Sequence, residues 1–283
     1  MSGLLIAVTN GNGEIIQSQP YQEFVNGPRN LEILNVYLGS KLLSILVDDL
    51  NIISFNDNKF VLKTILENSN ITTMKLLGKV AEAVVVRRCR ENLENNLTWL
   101  SIARKKSARV KTATKYIAYG TGLVDTQKKY PQKYNYSDPQ RDIIWIDNQG
   151  KLALMKGSTT TSGLVAGIQI KVSRNGGAYI LDDLIQNRYE VPLVYFDICN
   201  DFDNIANKLY KKGKGQIVGY DFVQAKAIDY DAYSEVAYYE DLVRAIVTGK
   251  LTIEDLAYRN EYPVKSAIMS AAFSTVNLTN LIV

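Results

Sequence analysis

Four side chains have types and spacings that could do chemistry together. Glu82 interrupts Val80–Val86, a run that is otherwise wholly apolar. On a helix such a run wraps most of the circumference, so the carboxylate is expected near or in the core, the alternative being a helix whose Glu82 edge faces water. In the core it needs a metal ion or a basic partner to offset its desolvation. Asp142 opens the β-branched stretch Ile143–Ile146 after a polar segment. Gln169 and Lys171 alternate with Ile168, Ile170 and Val172, so a strand at this place puts the amide and the ammonium on one face. Carboxylates and an amide oxygen are ligands for a hard cation, and a lysine beside them can handle a proton or an anion.

The composition narrows the chemistry further. The chain has no histidine, which excludes Ser-His-Asp and Cys-His nucleophiles, His-ligated zinc and any nuclease with a histidine base. Cys89 and Cys199 are far apart, form no Cys-x-x-Cys pair and fit a reducing compartment. Catalysis would have to run on carboxylates, lysine, tyrosine, hydroxyls or a hard metal ion, with carboxylates plus magnesium the commonest combination. No Gly-x-x-x-x-Gly-Lys-Ser/Thr or Gly-x-Gly-x-x-Gly motif appears, and Lys212-Gly213-Lys214-Gly215 is too short to stand in for one.

Charge is distributed unevenly. The net charge is +4, yet residues 87–141 hold thirteen basic and four acidic side chains, an asymmetry that suits a polyanion-binding face. The expected nucleic-acid contacts are Arg87, Arg88, Arg104, Lys105, Lys106, Arg109, Lys111, Lys115, Lys128 and Lys129. An ordinary solvated surface is the alternative.

The elements that must position these residues can be read along the chain. Asn10-Gly11-Asn12-Gly13 predicts a hairpin turn between Leu4–Thr9 and Glu14–Gln17, and a second hairpin joins Ile52–Phe55 to Phe60–Leu62. Leu31–Leu50 fits either helix or strand. Helical character runs uninterrupted from Thr73 to about Arg104, capped by Thr72 or Thr73. Residues 118–140 read as a long tyrosine- and lysine-rich loop. Strands are expected at Asp142–Ile146, returning over Lys151–Met155, then at Leu164–Val172 and Val191–Ile198, with a helix at Tyr179–Asn187. From Asp201 onward the chain is mostly helical, with Tyr230–Val247 and Ile253–Tyr258 as helices. The apolar fraction of 46% allows a sizeable core. The apolar runs are shorter than the roughly 20 residues of a membrane span. The opening Met1–Ile6 has no basic residue before its apolar stretch and is not expected to be a secretory signal.

This series of motifs resembles the PD-(D/E)xK nuclease superfamily, in its Gln-x-Lys variant. The family's Gly-x-x-x-Glu helix is matched by Gly78 and Glu82, its metal-binding aspartate by Asp142 (with Asp147 as the alternative), and its Glu/Gln-x-Lys strand by Gln169 and Lys171. The resemblance spans about residues 73–198 and has two departures, a Gln169 where the family commonly has glutamate and a long gap between Asp142 and Gln169, with residues 157–163 inserted. It implies an α/β, restriction-endonuclease-like core over residues 71–200, with a central mixed β-sheet flanked by helices. An N-terminal α+β region (1–70) for recognition or dimerisation and a helical C-terminal region (201–283) would complete the chain.

The resemblance further implies Mg²⁺ or Mn²⁺ held by Glu82, Asp142 and Gln169, with Lys171 assisting catalysis. The expected activity is hydrolysis of phosphodiester bonds by a cytoplasmic endonuclease acting on nucleic acid, DNA above all, in restriction or antiviral defence. No membrane association is expected, and a homodimer or partner protein would fit. The alternatives are a noncatalytic nucleic-acid-binding module and an assembly protein of a phage or defence complex.

Overall fold

The computed structural model describes residues 5–9, 14–20, 23, 31–56, 59–63, 68–157, 164–174, 177–253 and 255–258. It divides into two compact units, one of residues 74–236 and one that joins residues 1–73 to 237–283. Residues 201–236 therefore belong to the unit that contains the candidate site residues. Among the described residues no helix is long and apolar enough to cross a membrane.

In the unit that joins the two ends of the chain, strands β1 (Leu5–Thr9) and β2 (Ile15–Pro20) pair antiparallel, as do β3 (Ile53–Asn56) and β4 (Lys59–Leu62). Both expected hairpins are present; the turn residues 10–13 and 57–58 lie outside the described residues. The ambiguous segment is helix α1 (Leu31–Ser44), continued by one π-helical turn, Ile45–Asp49. Leu34, Val36, Tyr37, Leu38, Leu42, Ile45 and Leu46 are all buried. A helix buried on most sides has no clean apolar stripe, which is why its period could not be read.

The other unit is a mixed α/β body around a five-stranded sheet. Its strands are β5 (Tyr116–Gly120), β6 (Ile143–Asp147), β7 (Gly167–Ser173), β8 (Leu193–Asp197) and β9 (Phe222–Gln224), adjacent in that order. The pairs β5/β6 and β6/β7 are antiparallel, whereas β7/β8 and β8/β9 are parallel. Strand β7 changes partners along its length. It pairs with β6 through Gly167 and Ile168, then with β8 from Gln169 to Ser173.

Helices cover both faces. On one face, helix α6 (Ala178–Ile185) and helix α7 (Phe202–Lys211) bury Ile180, Leu184, Ile205 and Leu209 against Leu193, Tyr195 and Phe222. On the other, Trp145 of β6 donates through Nε1 to Asn96 of helix α3 (Leu93–Ala103), and the Asn96 amide donates to the carbonyls of Ala113 and Tyr116. The chain completes this unit with α2 (Ser69–Glu91, which begins before it), α4 (Val110–Lys115), α5 (Val124–Lys129) and α8 (Ala225–Ile228). Helix α9 (Tyr230–Val247) runs on into the other unit, which also holds α10 (Asp255–Tyr258).

Several local expectations are corrected. The start of α2 is capped by Asn68, whose side chain accepts from the N–H groups of Asn70 and Ile71, while Thr73 bonds back to the Ser69 carbonyl. The helical stretch breaks at Asn92, which leaves helical geometry and caps α3 by accepting from Glu94 and Asn95. The supposed loop 118–140 contains most of β5, helix α5 and a 3₁₀ turn. Lys151–Met155 returns only as isolated bridges, Ile146 to Leu152 and Leu154 to Val165. Strand β9 was not foreseen.

Arg88 is corrected too. It is 5% exposed and bonds both Asp229, through Nε at 2.8 Å and Nη2 at 2.8 Å, and Asp231, through Nη2 at 3.2 Å. Trp99 Nε1 also donates to Asp229. This guanidinium is a structural pin and is not available to a polyanion. Replacing it by methionine removes the cation between two buried aspartates, and removing one partner of a buried pair costs about 3–5 kcal/mol. Urea denaturation of Arg88→Met is expected to show that loss; a loss under about 1 kcal/mol, the scale of an exposed pair, would contradict the assignment.

Candidate active site

Strand alternation fixes one row of the site. In β7, Gln169, Lys171 and Ser173 share a face, paired across the parallel ladder with Leu193, Tyr195 and Asp197. Asp142 lies one residue before β6 and donates its N–H to the Ile168 carbonyl at 2.9 Å. Its side chain then reaches where β7 has turned away from β6. Asp142 Oδ2 accepts from Ile170 N–H at 2.7 Å and from Gln169 Nε2. The carboxylate thus closes the ladder at the point where β7 exchanges one neighbour for the other.

The second row comes from α2. Its central residues Val80, Ala81, Ala83, Val84, Val85 and Val86 are buried along with Glu82, as the apolar run requires. Lys79 and Glu82 are three residues apart on one helical face and form an ion pair, Nζ to Oε1, at 2.7 Å. Glu82, Asp142, Gln169 and Lys171 all line one cleft of about 380 Å³ together with Lys75, Lys79, Tyr136 and Tyr179. The four residues singled out from the sequence, from two strand segments and a helix, are brought together.

Burial sets the electrostatics. It pushes the Glu82 carboxyl well above the usual glutamate range, the Asp142 charge adds to the rise, and Lys79 opposes it. Burial also raises Asp142, against the pull of Lys79, the Ile170 N–H and Lys171. Burial alone would lower Lys79, but Glu82, with Asp142, outweighs it and leaves the ammonium pKa raised. Two buried oxygens of the cleft lining, Glu82 Oε2 and Gln169 Oε1, have no hydrogen-bond partner among the described residues. Orphaned buried acceptors are costly and call for a donor, a water or a cation. The donor set of two carboxylates and an amide oxygen, with two of its atoms unsatisfied, fits a magnesium-type ion. Among the described residues no three His, Cys, Asp or Glu side chains gather into a metal-holding group, so the Gln169 oxygen would be the third protein ligand.

Lys171 is partly exposed, with its ammonium 5.5 Å from the centre of the Tyr189 ring. Asp147, the alternative to Asp142, lies at the far end of β6. Its carboxylate accepts from Gln149 and Lys151 N–H and faces Lys115 at 3.3 Å, which holds it below the usual range. It closes a turn and does not line the cleft. Ser173 is buried and bonds to Tyr179 and Tyr195, so it serves packing.

None of the ten basic residues expected to hold nucleic acid lines the cleft. Arg104 donates to the Leu154 carbonyl, and Lys105 and Lys129 pair with Asp221 and Asp125. Arg87 is partly exposed, and Lys106, Arg109, Lys111 and Lys128 are exposed. The cleft's own cations beside Lys171 are Lys75 and Lys79, which the sequence reading missed. The helical spacing of Lys79 and Glu82 was the available signal. Tyr136 and Tyr179, 49% and 48% exposed, add aromatic surface. No family model, curated protein or solved structure matches the chain.

The Glu82 shift has a consequence for stability. With its folded pKa raised above 4.5, the native state keeps a proton that the unfolded chain releases as pH rises past that value. The contribution is fully present below about pH 4.5 and is lost as pH climbs through the raised folded value. In metal-free buffer, urea midpoints of the wild type should fall across this window, and Glu82→Gln should flatten the fall. Equal slopes would mean that Glu82 ionises as an ordinary exposed glutamate does.

Proposed function

We propose that this protein is a divalent-metal-dependent nuclease of the PD-(D/E)xK type, with a restriction-endonuclease-like core in residues 74–236. The observation that carries the reading is the meeting of Glu82, Asp142, Gln169 and Lys171 in one cleft with two buried oxygens unpartnered. The order of the elements supports it as well: the Glu82 helix, Asp142 before β6, the Gln169-x-Lys171 strand, then α6 and β8.

Glu82, Asp142 and Gln169 would hold Mg²⁺ or Mn²⁺. Such an ion polarises a scissile phosphate and acidifies water at neutral pH. The chain's own groups do the rest. Ile170 N–H and Gln169 Nε2 fix the Asp142 carboxylate beside Glu82, so it meets a cation with little reorganisation. Lys171 has no hydrogen bond or ion pair among the described residues. Its ammonium is therefore available to orient an attacking water and to offset charge growing on the phosphate oxygens. Lys75 and Lys79 add positive potential to the cleft, and Tyr136 and Tyr179 offer faces on which bases can stack. DNA is the substrate this reading favours, cut internally by a cytoplasmic enzyme of restriction or antiviral defence. The unit that joins the chain ends would serve recognition, a homodimer or a partner protein.

One observation favours a second reading, a noncatalytic nucleic-acid binder. Lys79 already neutralises Glu82, and a protein that never takes up a metal could keep that pair permanently.

Incubation of supercoiled plasmid with wild type and Mg²⁺ or Mn²⁺ separates the two. The nuclease reading predicts nicking or linearisation that EDTA abolishes. Lys171→Ala, and Asp142→Asn alike, should lower the rate by at least about 10²-fold, the scale of losing one charge-stabilising group. Salt-sensitive binding with no cleavage at any metal concentration would replace it with the noncatalytic reading.

A further inference from the structure

We propose that Lys79 is a built-in counter-ion, which holds the cation position of the cleft in the metal-free protein and passes to a substrate phosphate when a divalent ion displaces it. The inference rests on the metal-site reading above and concerns a residue outside the Glu82, Asp142, Gln169 and Lys171 set.

The geometry around Lys79 is that of a competitor for the site. Its ammonium sits 2.7 Å from Glu82 Oε1, and its side chain is only 21% exposed. The other Glu82 oxygen and the Gln169 carbonyl oxygen are buried and unpartnered. Two acceptors are thus already set aside, and Glu82 turns both oxygens to a metal once its ion pair with Lys79 and the hydrogen bond it shares with Asp142 are given up. Retaining both cations would place an ammonium against a divalent ion at the same carboxylate, a like-charge contact in a poorly solvated cleft.

The surroundings give the displaced ammonium somewhere to go. Lys79 Nζ lies 5.2 Å from the centre of the Tyr136 ring, at a cleft wall where Tyr136 is half exposed. The wall is pinned: Asn135 N–H donates to the Thr121 carbonyl and Thr121 Oγ to the Arg141 carbonyl. Gly122 leaves room there, since a Cβ on it would come within 3.3 Å of both Lys79 Nζ and the Tyr136 carbonyl oxygen. A four-carbon stem can swing about its rotatable bonds from Glu82 toward the open cleft without moving the helix. Once released, the ammonium stands in the same cleft as Lys171 and can meet a phosphate oxygen as a point charge.

Because competition at one carboxylate is a coupling between two cations, it must appear from both sides. Mn²⁺ binding is measured by electron paramagnetic resonance of the free ion, for wild type, Lys79→Met, Lys79→Gln and Glu82→Gln. Lys79→Met should bind Mn²⁺ about tenfold more tightly than wild type, within the usual span of couplings between linked sites. Lys79→Gln, which keeps a hydrogen bond to Glu82 but loses the charge, should also gain affinity and serves if the methionine variant does not fold. In a second titration, oligonucleotide affinity is read by fluorescence anisotropy in EDTA and in Ca²⁺. Ca²⁺ should tighten binding by wild type more than by either Lys79 variant. Wild-type Mn²⁺ affinity that is unchanged or weakened by both Lys79 substitutions overturns the counter-ion role and leaves the metal site standing. Failure of every protein to bind Mn²⁺, or a Glu82→Gln affinity equal to wild type, overturns the metal site itself and this inference with it.

Discussion

Asp142 Oδ2 takes two hydrogen bonds from β7, one from the Ile170 N–H and one from the Gln169 amide. The rest of the site depends on that interaction. A strand that leaves one neighbour for another exposes backbone donors, and a buried N–H without an acceptor is rarely tolerated. Here the aspartate supplies the acceptor at the divergence, while its own N–H still bonds the Ile168 carbonyl. The same contact therefore finishes the sheet and fixes a carboxylate. Gly167 permits it, because a Cβ there would lie 2.8 Å from the Ile143 carbonyl oxygen, and the two strands could not approach so closely.

Placing Glu82 opposite this carboxylate turns a structural junction into an electrostatic problem. Both acids are buried, and each raises or constrains the other's ionisation. One ammonium, from Lys79, is close enough to bond, and it meets one oxygen of Glu82. The two carboxyls share one bonded ammonium, and the unpartnered Glu82 and Gln169 oxygens mark where a further donor or cation fits. A helix–strand contact built only for stability would satisfy those atoms or replace them with apolar groups.

The site was more legible than its surroundings, for a physical reason. A carboxylate within Val80–Val86 and a lysine two residues from an amide on an apolar strand violate the ordinary pattern of burial, and such violations can be seen in one sequence. The central strands β6, β7 and β8 were legible because they are largely buried and rich in β-branched or aromatic side chains. Strand β9 escaped because it has three residues, too few for alternation to declare itself. Asn92 escaped as a helix break because its role is to cap α3 with its own side chain. The basic stretch says less than its charge suggests, because charge density along a chain does not say which cations are consumed in the fold. Arg88 is spent on Asp229 and Asp231, and Lys105 on Asp221, whereas the lysines at the cleft come from α2 and β7.

The central claim is that Glu82, Asp142 and Gln169 form one cation site. The most direct test is anomalous diffraction from crystals grown or soaked with Mn²⁺, collected above the manganese absorption edge. A single strong anomalous peak within coordination distance of oxygens from all three side chains is the predicted result. An empty cleft at saturating Mn²⁺, with Lys79 still on Glu82, would contradict the account.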